Sequence, residues 1–269
     1  MLTQFDLLRR GFIRLLNILH PFTTLKIGPL SLHVFTDGFG SIEENIFDNV
    51  YFTSTEIKEA NTIIDLGAHH CSFTIYSIIK SSPGSTIIAV EPNPLAIKLC
   101  IDNIKALSWL ISKKELSVKI LNRAVWDSEE TINLKLSWWS EGSHVSSGLH
   151  GNGIKVKAIT LDNIIKLARG KTIIKMDIEG AEYRVLKNSN IKDVHKIAVE
   201  VHGDLNTIIE ILRNQGFKTY IQHHKIGKEL SATWLRIKPR SYGSLIATYR
   251  FVVSQIAKPT VTIVKGMRA

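Results

Sequence analysis

The chain has 269 residues, 44% hydrophobic and 22% charged, a balance that supports a sizeable core and excludes a disordered or collagen-like polymer. The 34 Lys and Arg outnumber the 24 Asp and Glu, and the formal charge of +10 favours an anionic partner such as nucleic acid, phosphorylated glycan or acidic lipid without requiring one. Two cysteines, Cys71 and Cys100, are too few for a disulfide framework and fit a reducing compartment; no paired Cys/His spacing suggests zinc, so no metal site is expected.

Residues 2–20 place Phe5, Leu8, Phe12, Leu15, Leu16 and Leu19 at helical spacing before Pro21 stops the pattern. The spacing predicts an amphipathic helix that docks on the domain or, as a second reading, lies on a membrane surface. Asp6, Arg9, Arg10, Arg14 and Asn17 interrupt the segment and no small-residue cleavage site follows, so it is neither a span nor a signal peptide and a cytoplasmic location is expected, peripheral to the membrane in the second reading. Thr24 to Ile27 and Leu32 to Phe35, around Gly28 and Pro29, predict a small hairpin. Residues 1–52 thus form an N-terminal extension to a domain over 53–269.

From Thr62 onward short apolar strands alternate with longer amphipathic segments, the pattern of a doubly wound α/β sheet. Strands are expected near Thr62 to Leu66, Thr86 to Glu91, Val118 to Asn122, Thr172 to Asp177, Lys196 to Val201, Phe217 to Ile221 and Leu245 to Phe251. Between the third and fourth lies a hairpin insertion near 131–160. There Ile132 to Leu136 and Ile154 to Ile159 flank a loop carrying Trp138, Trp139, His144 and His150.

Four stretches carry chemistry. In TIIDLGAHH, residues 62–70, a buried strand ends at Asp65 and Gly67 opens a turn at the strand's carboxyl end, where α/β sheets bind ligands. A branched side chain at Gly67 is expected to block a ligand there while sparing the fold. In AVEPNP, residues 89–94, Glu91 ends the next strand and can accept hydrogen bonds from ribose hydroxyls. The single glycine, with Cys71 where a second would stand, favours a methyl donor over a dinucleotide. In IIKMDIEGAEYRVL, residues 173–186, Asp177, Glu179 and Glu182 gather at one strand end, suiting a base, a cation or a polar ligand. IAVEVHG then brings Glu200 and His202 beside them if the strands are neighbours.

The ordered set IIDLGAHH, AVEPNP, AVWDSEE, ITLDNII, IIKMDIEGAE and VEVHG resembles the FkbM family of class I methyltransferases across roughly Tyr51 to Tyr220. The resemblance implies a mostly parallel seven-stranded sheet whose last strand runs antiparallel, with S-adenosyl-L-methionine as cofactor. It also implies that Asp65, Gly67 and Ala68 hold the methionine end, that Glu91 and Asn93 hold the ribose, and that Ala124, Val125 and Asp127 border the adenine. Asp177 and Glu179 would face the acceptor, and His202 is a further candidate base. His69, His70 and Cys71 depart from the family's usual asparagine and second glycine. O-methylation of a sugar, glycan or other small-metabolite hydroxyl ranks first; an RNA or DNA methyltransferase, favoured by the basic charge and the insertion's aromatics, and a non-catalytic binding module on the same fold are the alternatives. No oligomeric state is specified by these features.

Overall fold

The computed structural model describes residues 22–27, 30–35, 38–135, 144–146, 153–225 and 260–268. The expected helix over 2–20, the aromatic pair Trp138 and Trp139, His150 and the strand expected near Leu245 to Phe251 lie outside them. No helix among the described residues is long and apolar enough to cross a membrane.

The extension supplies the hairpin, β1 (Phe22–Ile27) with β2 (Leu30–Phe35), then α1 (Phe39–Ile42), which continues into a π-helical turn over Glu43–Phe47. Next come α2 (Ser54–Glu59), β3 (Thr62–Leu66), α3 (Ser72–Lys80), β4 (Thr86–Val90), α4 (Pro94–Lys105), α5 (Ser108–Lys113) and β5 (Ser117–Leu121). The insertion contributes β6 (Ala124–Trp126), β7 (Thr131–Lys135), β8 (His144–Ser146) and β9 (Ile154–Thr160). Then follow α6 (Leu161–Ile165), β10 (Thr172–Met176), α7 (Glu182–Lys187), β11 (Val194–Glu200), α8 (Leu205–Asn214), β12 (Lys218–Lys225) and β13 (Thr260–Met267).

The main sheet has seven strands in the order β12-β13-β11-β10-β3-β4-β5, and β13 runs antiparallel to both strands that flank it. The resemblance implied this arrangement, but its antiparallel member is Thr260–Met267, which the hydrophobic pattern had not marked as a strand. The chain winds outward from β3 to β5 and then returns to β10 on the other side, so the switch point lies between β3 and β10.

Strand residues alternate between two cores. Ile64, Leu66, Ile88, Val90, Ile174 and Met176 pack on one face with Val185, Ile208 and Leu212 of the helices and with the insertion's own four-stranded sheet. Ile63, Ile87, Ala89 and Ile173 pack on the other with Phe73, Ile75 and Cys100, and there Leu32, Val34, Tyr51 and Phe52 of the extension join the same core. Period-two burial on both faces is what a sheet covered on both sides requires.

Candidate active site

The carboxyl ends of β3, β4, β10 and β11 surround an open cleft of about 950 Å³, mouth included, at the switch point. Gly67, Ala68 and His69 line it from the turn after β3, Glu91 and Pro92 from the end of β4, Asp177 and Glu179 from the turn after β10, and Glu200 from β11. Ala124, Val125 and Leu134 form an apolar wall, and Ser41, Glu44 and Asn45 of the extension close another side.

The turn after β3 is tightly determined. Gly67 has φ +75°, and a Cβ there would sit 1.7 Å from the carbonyl oxygen of Asp177. The glycine is therefore required by the approach of β10's own backbone. This corrects the expectation that a side chain at Gly67 would meet the ligand and spare the fold. His69 and Cys71 also take positive φ, 50° and 69°, conformations that cost an L-residue about 1–3 kcal/mol each unless the surroundings enforce them. Cys71 is enforced by a disulfide to Cys100 on α4. Two cysteines were read as fitting a reducing compartment; the structure joins them, and the pair braces the turn after β3 against the helix after β4, a contact between residues 29 apart that no local spacing shows.

The two histidines are held beneath the extension. The His69 ring stacks on Phe35 at 4.9 Å between centroids, and His70, fully buried, lies 3.2 Å from the Ser41 hydroxyl through Nε2. Burial pulls the His70 imidazole down to about 3 and holds His69 well below the usual histidine range, so both stay neutral. The part of His69 that serves the site is its main chain: its N–H donates to Glu91 Oε2 at 2.8 Å, while the Asn93 N–H donates to Oε1 at 2.8 Å. Each oxygen retains a further lone pair. Burial pushes the Glu91 carboxyl up to about 7 against the pull of these two amides.

Lys175 was not singled out by the sequence reading, yet it joins the halves of the site. Its Nζ lies 3.5 Å from Asp65 Oδ1, 3.4 Å from Asp177 Oδ2 and 2.7 Å from the Gly67 carbonyl oxygen. Asp65 is wholly buried behind the cleft and also accepts from Thr74 Oγ1 at 2.6 Å. Burial disfavours the lysine's charge, but Asp177 and Asp65 outweigh it and hold the ammonium above its ordinary value. A lysine inside the apolar strand TIIKM was the available signal, because a buried ammonium must find partners.

Not every expected residue enters the cleft. The Asp127 carboxylate is spent on Arg184, 2.6 Å from its Nε, and does not line the wall that Ala124 and Val125 form. The Asn93 side chain caps α4 by accepting from Leu95 N–H at 3.0 Å.

On the acceptor side, burial followed by the charge of Asp177 raises Glu179 to about 8 and Glu200 to about 7. Tyr51, also missed by the sequence reading, donates its hydroxyl to Glu200 Oε2 at 2.5 Å. His202 Nδ1 lies 3.1 Å from Glu182 Oε1, and Nε2 lies 3.6 Å from Glu179 Oε2 and 3.7 Å from Glu200 Oε1. Burial would lower this imidazole, but the Glu182 hydrogen bond and the Asp177 charge raise it to about 10. The carboxylates around His202 thus favour its protonated ring.

The methyltransferase FkbM domain model matches residues 65–219, more than half of the chain. The chain belongs to the FkbM methyltransferase family. It is an S-adenosylmethionine-dependent methyltransferase, and the match runs from the end of β3 to the start of β12, including every strand end that lines the cleft. No curated protein sequence matches the chain. Among solved structures it is similar to precorrin-6y C5,15-methyltransferase from Geobacter metallireducens, at 13% identity and TM-score 0.44, covering 84% of this chain and 96% of that one. It is also similar to M. jannaschii TYW2 in complex with AdoMet, at 13% identity and TM-score 0.42, covering 93% and 88%. A third is Pyrococcus abyssi tRNA (uracil-54, C5)-methyltransferase in complex with S-adenosyl-L-homocysteine, at 12% identity and TM-score 0.45, covering 92% of this chain but 44% of that chain.

Proposed function

We propose that this FkbM enzyme methylates a hydroxyl of a sugar, glycan or other small metabolite. The observation that carries the reading is that Asp177, Glu179 and Glu200 line the same cleft as Gly67 and Glu91, with burial and the Asp177 charge raising Glu179 and Glu200 above the usual carboxylate range. A general base works best when its pKa lies near the operating pH, and a hydroxyl acceptor is the kind that has a proton to lose during transfer.

The residues fit S-adenosylmethionine, which supplies when bound an electrophilic methyl group on a sulfonium. Glu91, its carboxylate fixed by two main-chain amides, would accept the ribose hydroxyls; Gly67 and Ala68 would border the methionine end; Ala124 and Val125 would flank the adenine. Asp65 and Asn93 would act indirectly, through Lys175 and the α4 cap. Asp177 and Glu179 would face the acceptor, with Glu179 taking its proton, and His202 would stabilise the carboxylates as a cation. Holding the acceptor oxygen in line with the methyl carbon supplies most of the remaining acceleration.

The formal charge of +10 favours the second reading, an RNA or DNA acceptor. Calorimetry with S-adenosylmethionine comes first, and Glu91→Ala should weaken binding about 10- to 100-fold through loss of charge-assisted hydrogen bonds. Methyl-labelled donor is then supplied with a cell extract before and after nuclease treatment. Label in nuclease-resistant small molecules or glycans supports the proposal, and label confined to nuclease-sensitive material overturns it in favour of nucleic acid. Absence of donor binding by the folded wild-type chain leaves only a binding module.

A further inference from the structure

We propose that Asp177, Glu200 and His202 bind a first-row divalent cation, best matched by Mn²⁺, where the donor cleft meets a second cleft. One ligand atom from each residue lies within 4.8 Å of the other two. Ligands around one ion at about 2.0–2.2 Å stand no more than about 4.4 Å apart, so small side-chain rotations close the set.

The surroundings of His202 point to a metal and not merely to an acidic cluster. Glu182, 3% exposed, accepts the N–H groups of Ile178 and Gly180 through Oε1 at 3.2 and 3.1 Å, and the same oxygen lies 3.1 Å from His202 Nδ1. A buried, anchored carboxylate on Nδ1 is the usual partner of a metal-ligating imidazole, because it fixes the ring and leaves Nε2 for the ion. Nε2 is the atom that faces Glu200 Oε1, and an incoming ion would displace the proton that this nitrogen carries in the metal-free cluster. On the other ligand, Tyr51 takes Glu200 Oε2 and leaves Oε1 toward the imidazole.

The two clefts give the site its access. Asp177 and Glu200 line the donor cleft, whereas His202 lines a neighbouring cleft with Gly180, Tyr183, Asp204 and Thr207. The three side chains retain 24%, 14% and 27% exposure, enough for a hydrated ion to enter. Lys175 does not neutralise the cluster alone, because its ammonium is shared with Asp65 and the Gly67 carbonyl. Two carboxylate oxygens and one imidazole nitrogen suit Mn²⁺ better than Mg²⁺ or Ca²⁺, which prefer all-oxygen shells. The site stands on these residues, while its role, orienting the acceptor oxygen and lowering its pKa, rests on the proposed hydroxyl methylation.

The test is calorimetric titration of the full-length, metal-stripped chain with Mn²⁺, without donor or acceptor, beside a separate titration with S-adenosylhomocysteine. Saturable one-to-one Mn²⁺ binding is expected, weakened at least tenfold in His202→Ala and in Glu200→Gln and about 10- to 100-fold in Glu182→Gln, which keeps the ligands but alters the imidazole's partner. Unfolding temperatures identify any variant that fails to fold, and the remaining variants then decide. No saturable Mn²⁺ binding by a wild-type chain that still binds S-adenosylhomocysteine overturns the site alone, as does equal affinity in all folded variants. Mn²⁺ binding without donor binding instead overturns the proposed methylation and leaves the cation site standing.

Discussion

Gly67→Ala isolates the contact on which the donor loop is built. The new Cβ would lie 1.7 Å from the Asp177 carbonyl oxygen and 2.8 Å from its carbon, at a φ of +75°. The left-handed conformation alone costs an L-residue about 1–2 kcal/mol. Relieving the clash requires the ends of β3 and β10 to part, which breaks the bond from the Asp177 N–H to the Leu66 carbonyl and strains those from the Gly67 and Ala68 N–H groups to the Val90 carbonyl. Each buried group left unpaired costs about 1–3 kcal/mol. A loss of about 3 kcal/mol is therefore a floor, and at about 2–4 °C per kcal/mol for a domain of this size the melting temperature should fall by about 6–12 °C. Thermal unfolding by circular dichroism reads the fall, and calorimetry at a temperature where the variant is folded should show donor affinity reduced at least tenfold, because the loop carries the His69 amide that holds Glu91. A variant that melts with the wild type would refute the reasoning.

Lys175→Met should destabilise by about 3–5 kcal/mol, because it leaves the buried carboxylates of Asp65 and Asp177 facing one another without their shared cation; adding Asp65→Asn should restore part of the loss in denaturant titrations, and no rescue would assign the lysine a different role. Stability should fall as pH rises from about 5 to 8.5. Glu91, Glu179 and Glu200 are raised from 4.5 to about 7, 8 and 7, and His202 from 6.5 to about 10; His69 and His70, both lowered from 6.5, oppose this below about pH 6.5 but are outnumbered, so across this window the folded state holds more protons than the unfolded one. A higher melting temperature at pH 8.5 than at pH 5.5 would contradict those assignments. Glu179→Gln should lower turnover about 10²- to 10⁴-fold with little change in donor affinity, and undiminished rates at saturating substrates would show that another group takes the acceptor's proton. Cys100→Ser should lower stability by about 2–4 kcal/mol under oxidising conditions and change nothing under reducing ones; equal melting in both would show that the bond does not form in solution.

The sheet was legible because each of its buried parallel strands is a compact apolar run, and β3 was bounded to the residue by Thr62 and the Gly67 turn. The antiparallel strand was not. The sequence pattern pointed to LIATYRF over 245–251, which lies outside the described residues, and passed over TVTIVKGM over 260–267, whose place is set by pairing with β11 and β12. In the site, Glu91 and Asp177 were visible as acids that end apolar strands, a position with few structural uses. Tyr51 was hidden because its partner Glu200 lies 149 residues away, and the pairing of Asp127 with Arg184 was hidden because Arg184 belongs to a helix whose packing no local pattern reveals. Glu182 was noticed only as one of three acids. Its geometry, under the Ile178 and Gly180 amides, separates it from Glu179, which projects from a left-handed turn at φ 53°.

The position of β13 has a consequence for the order of events during synthesis. Among the described residues it is the last strand in chain order, yet it is seated between β11 and β12, and β12 has no other neighbour among them in the sheet. Arg268, directly after it, donates to the carbonyls of Val194, Ile191 and Gln215 and so ties both flanking segments together. A nascent chain that has already made the donor cleft must therefore hold β11 as an open edge, with β12 unplaced, until residues 260–268 leave the ribosome. Open edges recruit other strands. The interval before β13 arrives is accordingly the point at which this protein is most exposed to mispairing with a neighbouring chain, and slowing translation just upstream of it would raise aggregation while leaving the finished fold unchanged.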